Sequence, residues 1–143
     1  MILPDVNVLL YAFRPDLPQH LPHKTWLEQA LSGEEPYGMS PQVLANVIRI
    51  TTRPKTFALP TSLTSALNFT SALLRHPRCQ IVEPGPRHWD IFTRLCQSAN
   101  ATGNLVQDAW FAALAIESGC EWITTDRDYA RFPGLRWRPP LAS

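Results

Sequence analysis

A three-layer α/β fold, with a central, mostly parallel sheet of about four or five strands flanked by helices, follows from three observations. Short apolar runs alternate with longer amphipathic ones along all 143 residues. The fourteen prolines mostly stand where an element should stop. Aspartates sit at the ends of predicted strands, where parallel α/β sheets gather their ligands.

The elements follow in order. Ile2 to Val6 reads as a short buried strand and Val8 to Phe13 as a helix or turn. Pro15, Pro18 and Pro22 punctuate a loop, in which His20 and His23 read as exposed side chains. His23 to Leu31 has helical periodicity, with Trp26, Leu27, Ala30 and Leu31 on one face and Gly33 as its stop. Pro36 to Met39 is a second strand. Ser40-Pro41 is a helix start, an N-cap followed by proline at the first helical position, and that helix runs to about Thr52, before Pro54. After a loop from Pro54 to Pro60, Thr61 to Leu74 reads as an amphipathic helix with Leu63, Leu67 and Leu74 on its apolar side.

Gln80 to Val82 is a third strand and Arg87 to Gln97 a further helix. Asn104 to Gln107 resembles a capping box opening a strongly apolar helix that ends at Gly119. Trp122 to Thr125 is the fourth strand, Tyr129 to Phe132 a short helical turn, and Leu135 to Trp137 a last strand. No repeat, low-complexity tract or composition shift divides the chain, so residues 1–143 read as a single domain.

Composition narrows the function classes. Hydrophobic residues make up 45% and charged residues 17%, a globular balance. No apolar run approaches the roughly 18 residues that span a bilayer, and Asp5 interrupts the apolar start too early for a signal peptide. Cys79, Cys96 and Cys120 form no CxxC pair, which fits reduced thiols in a cytoplasm. No serine or cysteine lies in a nucleophile motif and no Gly-rich phosphate loop is present.

The chemistry lies in the acids. Asp5 closes the first strand, Asp126 follows the fourth with Asp128 two residues on, and Asp108 opens the long apolar helix. Each alone has an ordinary structural use, as an N-cap, a dipole partner or a turn residue. Together, at one edge of a parallel sheet, they repel unless a cation sits among them, the pattern of a hard divalent-metal site serving phosphate chemistry. The net charge of +1 hides an asymmetry: setting those four aside from the twelve acids leaves eight against thirteen Lys and Arg. An acidic pit in a basic surface suits a polyanion held by its backbone.

The ordered stretches Asp5-Val6-Asn7-Val8-Leu9-Leu10-Tyr11-Ala12, Ser40-Pro41-Gln42-Val43-Leu44, Arg49 to Pro54, Pro84 to Trp89, Gly103 to Ala109, Thr124-Thr125-Asp126-Arg127-Asp128 and Phe132 to Leu135 cover nearly the whole chain. The set resembles a PIN domain, specifically the VapC-type toxins of bacterial toxin–antitoxin pairs. The resemblance implies an endoribonuclease of the bacterial cytoplasm that uses Mg²⁺, with Mn²⁺ as a substitute. It implies an RNA substrate, a structured RNA such as tRNA or rRNA, a VapB-type antitoxin as partner, a homodimer, and no membrane.

The family's first, third and fourth acids fall on Asp5, Asp108 and Asp126, the catalytic candidates, and Asp128 is an accessory metal ligand. The second acid, usually a glutamate, falls on Asn46, which implies weaker metal binding and leaves open a catalytically weakened RNA-binding or interaction module. Asn7, Asn46, Asn104 and Thr125 are supporting candidates, with Thr124 a further one. Arg14, Arg49, Arg53 and Arg127 are candidate RNA contacts, along with Lys55 and Arg131; Tyr11, Phe13, Trp110 and Tyr129 are aromatics that could stack on unpaired bases. An aspartate phosphatase of the haloacid dehalogenase type fits less well, because it needs an aspartate where Asn7 stands. A phosphoryl-accepting receiver domain fits less well too, because neither Lys24 nor Lys55 is placed for it.

Overall fold

Strand β1 (Ile2–Pro4) pairs in parallel with β4 (Glu121–Ile123), and β4 with β5 (Trp137–Arg138). Strand β2 (Tyr37–Met39) pairs in parallel with β3 (Cys79–Ile81). The computed structural model describes residues 1–141; the last two residues of the expected domain lie outside it. Every observed strand pair is parallel, as expected, but the strands form two ladders, β1-β4-β5 and β2-β3.

Proline explains the break. Asp5 N–H donates to Ile123 O across 2.8 Å and Glu121 N–H to Met1 O across 2.9 Å, so the odd-numbered groups of β1 face β4. Pro4 therefore turns its nitrogen toward the other side and has no hydrogen to donate there. The two ladders still lie side by side: a Cβ on Gly38 would sit 3.3 Å from the Ile2 carbonyl oxygen and 2.9 Å from Val82 Cγ2. Glycine at 38 is what lets β2 approach β1.

Among the described residues six helices connect the strands: α1 (Val6–Phe13), α2 (His20–Ser32), α3 (Pro41–Thr51), α4 (Leu63–Arg75), α5 (His88–Ala99) and α6 (Asn104–Ser118). Helix α1 packs on both α2 and α3, α3 packs on α4, and α5 packs on α6. A 3-10 turn spans Arg127–Arg131. The start of α3 is as the sequence suggests, with Ser40 Oγ accepting from Val43 N at 3.2 Å and Pro41 at the first position. Fully buried Leu3, Leu9, Met39, Val43, Val47, Trp122 and Ile123 form the core where sheet and helices meet, each contributing about 1.5–3 kcal/mol by leaving water. Among the described residues no helix is long and apolar enough to cross a membrane.

Several expectations are corrected. Val6 belongs to α1 and not to the first strand, because Asp5 caps the helix directly. Pro22 lies in the first turn of α2, where a missing N–H has no intrahelical partner to lose. His20 and His23 are therefore helical and not exposed loop residues: His23 is buried with Nδ1 2.7 Å from Gln19 O, and His20 is half-buried with Nδ1 2.9 Å from Tyr11 O. On α4 the buried face is Ala66, Thr70 and Leu73, while Leu63 and Leu67 are exposed. The cap of α6 is Gly103, with φ +58°, and Asn104 makes no capping hydrogen bond; the left-handed backbone there favours glycine over a side-chain cap.

Candidate active site

Two strand ends and three helices build the site. Asp5 follows β1 and starts α1: its Oδ1 accepts from Val6 N at 2.6 Å. Its Oδ2 accepts from Thr124 Oγ1 at 2.7 Å and from Asn7 Nδ2 at 3.3 Å. Thr124, directly after β4, is fully buried. Its hydroxyl donates to Asp5 and also accepts from Asp126 N at 3.1 Å. One threonine thus ties the acid after β1 to the acid after β4.

Asn7 completes the bracket, with Nδ2 3.3 Å from Thr124 Oγ1 and Oδ1 accepting from Thr125 N at 3.3 Å. Asp126 caps the 3-10 turn, its Oδ1 accepting from Asp128 N at 2.9 Å. Asp108 lies on the second turn of α6, half-buried, and the Tyr129 hydroxyl donates to its Oδ1 at 3.3 Å.

These groups open on a cleft of about 270 Å³ lined by Asp5, Asn7, Asn46, Arg49, Asp108 and Asp126, with Leu10, Phe111 and Tyr129 among its apolar surfaces. Larger concavities exist elsewhere on the molecule, but they lack this density of acids. Burial pushes the Asp5 carboxyl up to about 6, and repulsion from Asp108 and Asp126 adds to it against the hydrogen bonds from Thr124 and Val6. Asp108 is also raised, first by burial and then by Asp126, with Asp128 adding more and the Tyr129 bond pulling the other way. Burial and the same acids push the Tyr129 phenol up, so it stays a neutral donor.

The donors are hard oxygens, three carboxylates and the Asn46 amide around uncompensated negative charge, and that set fits a hard divalent cation. Among the described residues no three His, Cys, Asp or Glu side chains close into a ready-made metal cage.

A PIN domain model matches residues 2–135. The chain belongs to the PIN-domain family, among the VapC proteins. It is 43% identical over 141 residues to a VapC ribonuclease of Mycobacterium bovis, covering 99% of this chain and 96% of that one. It is 38% identical over 142 residues to ribonuclease VapC25 of Mycobacterium tuberculosis, covering 99% and 100%. Solved structures share the fold. VapBC2 of Rickettsia felis, bound to a promoter DNA fragment, has a TM-score of 0.69 at 18% identity, covering 97% of this chain and 98% of that one. VapC20 of Mycobacterium tuberculosis, a sarcin–ricin loop cleaving toxin, has a TM-score of 0.65 at 15% identity, covering 95% and 99%.

In this PIN domain Asp5, Asp108 and Asp126 meet in one cleft, and Asn46 lines it. Asp128 stands at the rim, exposed, with its Oδ1 3.9 Å from Arg131. Thr125 is exposed and joins the bracket only through its backbone N–H. Asn104 is exposed and outside the lining residues. Of the arginines, Arg49 lines the cleft, with an N–H 3.5 Å from Asn46 Oδ1; Arg53 and Arg127 are exposed beyond it.

Arg14 is a correction: it is buried and its donors are spent on Asp16, Leu59 and Thr61, so it offers nothing to a phosphate. The aromatics are engaged as well. Phe13 stacks on Phe69, Trp110 donates to Gln42 Oε1 at 2.7 Å, and Tyr129 is buried against Trp122. Thr124 and Tyr129 carry more of the site than the sequence suggests. Thr124 had a signal in its place between a buried strand and an aspartate. Tyr129 had none, because only the fold brings it to Asp108.

Proposed function

We propose that the chain is the toxin of a VapBC-type pair, an endoribonuclease that hydrolyses RNA phosphodiester bonds with Mg²⁺, or Mn²⁺ in its place, at the Asp5–Asp108–Asp126 cleft. The observation that carries this reading is the convergence of three carboxylates from β1, α6 and β4 on one cleft, two of them with raised pKa values. Names of full-length relatives support the ribonuclease class, and VapBC complexes among the structural neighbours support an antitoxin partner. A homodimer in a bacterial cytoplasm completes the proposal.

Asp5, Asp108 and Asp126, with Asn46 as a neutral donor, would hold the cation. Bound there, such an ion would supply Lewis acidity to a water and to the leaving oxygen. The protein's own part is orientation. Thr124 and Val6 fix both oxygens of Asp5, Tyr129 fixes Asp108, and Asn7 ties α1 to the turn after β4. Arg49 at the cleft wall is placed for a phosphate oxygen. With Asn46 adding no charge, substrate phosphate would complete the metal's ligands.

Asn46 also favours a second reading, a PIN fold that binds RNA with little cutting. Induced expression in bacteria, with new RNA 5′ ends mapped across the transcriptome, separates the two. The nuclease gives discrete new ends that vanish in an Asp5→Asn, Asp108→Asn double variant. Equal ends with both proteins, or none with either, count against catalysis at this cleft.

A further inference from the structure

Among the described residues Arg14 is the one lysine or arginine that the fold buries. It follows α1, is buried, and commits four of its guanidinium hydrogens to the protein. Nε and an Nη donate as a fork to the two oxygens of Asp16, at 2.8 and 2.6 Å. The other Nη donates to Leu59 O at 3.0 Å and to Thr61 Oγ1 at 2.8 Å. The Phe57 ring lies under the guanidinium, with its centroid 3.9 Å from Cζ. Three of these partners, Phe57, Leu59 and Thr61, belong to the loop between α3 and α4. That loop has few other anchors: Thr61 N–H bonds Thr51 O at 2.8 Å, and Thr56 N–H turns back to Arg53 O at 3.1 Å.

The loop begins where the cleft wall ends. Asn46, Arg49 and Ile50 of α3 line the cleft, as does Leu10 of α1, one turn before Arg14. Arg53 comes one turn after Arg49, and Lys55 follows. Arg49, Arg53 and Lys55 are all exposed, and none has a carboxylate within ion-pair distance among the described residues. Three unneutralised cations thus run in sequence from the acidic cleft onto a loop whose shape Arg14 sets.

We propose that Arg14 is a positioning residue, which holds the loop of residues 53–61 so that Arg53 and Lys55 extend the cleft wall begun by Arg49 into a track for the phosphate backbone of RNA; this rests on the ribonuclease reading above. Arg14 itself never touches the substrate. A flexible loop would pay the ordering entropy of its cations on every binding event, and a preset one does not. Lysine cannot take the place of Arg14, because it lacks the fork that reaches Asp16 and the loop at once.

The test separates binding from cutting. Binding of a fluorescent unstructured RNA 12-mer is measured in EDTA across a salt series. Each lost phosphate contact lowers the slope of log affinity against log salt by about 0.7 for a single strand. Arg53→Ala with Lys55→Ala should lower the slope by about 1.4. Arg14→Gln should lower it in the same direction, and should add nothing further in the Arg53→Ala, Lys55→Ala background. Thr61→Val and Phe57→Leu, which remove single contacts from the same guanidinium, guard against misfolding of Arg14→Gln and should shift the slope partway.

In Mg²⁺, the same variants should raise KM several-fold with kcat unchanged. The proposal is overturned if the folded Arg14, Thr61 and Phe57 variants keep the wild-type slope, if the Arg14 effect adds fully to that of Arg53 and Lys55, or if kcat alone falls. RNA binding with the expected slopes but no cleavage by the wild type would instead overturn the ribonuclease reading, and with it the substrate role of the track.

Discussion

The Thr124 hydroxyl donates to Asp5 Oδ2 across 2.7 Å, joining the end of β4 to the end of β1. The same oxygen accepts the Asp126 N–H at 3.1 Å. Thr124→Val keeps the shape of the side chain but leaves a buried carboxylate oxygen short of a donor and an amide without an acceptor. A loss of about 1–3 kcal/mol of stability is expected, together with a fall in RNA cleavage, while Thr124→Ser retains most of both. Urea melts and cleavage rates of the two variants check this; equal behaviour of Val and Ser would show that the hydroxyl does not matter.

Asp5 titrates at about 6 in the fold, against an ordinary value of 3.8. Between those pH values the folded state binds more protons than the unfolded one, so stability in EDTA falls as pH rises from about 4 to about 6. The whole difference corresponds to about 3 kcal/mol. Melting temperatures across that range should show the fall in the wild type, a shallower one in Asp5→Asn, and recovery at neutral pH when Mg²⁺ is added. A flat wild-type profile would mean that Asp5 is ionised without penalty.

Tyr129 is buried and its hydroxyl bonds Asp108 at 3.3 Å, a contact that pulls the raised Asp108 carboxyl down. Tyr129→Phe keeps the ring in the core and should cost about 0.5–1.5 kcal/mol. The acid limb of the pH–rate profile should move to higher pH. An unmoved limb would show that Asp108 does not titrate in the catalytic range.

Asn46 lines the cleft without charge. Asn46→Glu adds a fourth carboxylate, so the metal-free variant should melt lower than the wild type. The gain in melting temperature on adding Mg²⁺ should be larger, because a ligand stabilises the folded state by an amount that rises with the logarithm of its affinity. Equal Mg²⁺ shifts in the two proteins would place the cation away from Asn46.

The legible parts of the fold were those set by local chemistry. Ser40-Pro41 is a local helix start, and the aspartates after β1 and β4 fall at the carboxyl ends of parallel strands, where such sheets gather their ligands. The parts that failed depended on distant neighbours. Arg14 reads as one more surface cation until the loop of residues 53–61 folds over it. Tyr129 reads as an aromatic for stacking until the 3-10 turn carries it beneath Asp108. Leu63 and Leu67 follow helical spacing, yet α4 rotates Ala66, Thr70 and Leu73 inward. Pro4 lacks a backbone donor in any conformation, but the side it faces is set by the register of β1 on β4, which only the fold supplies.

The most direct measurement is cleavage of total bacterial RNA by purified, antitoxin-free protein in Mg²⁺, in Mn²⁺ and in EDTA, beside Asp108→Asn. Discrete fragments in either metal, none in EDTA and none with the variant are the predicted result. Cleavage that persists in EDTA, or in Asp108→Asn at the wild-type rate, would contradict a metal-dependent nuclease at this cleft.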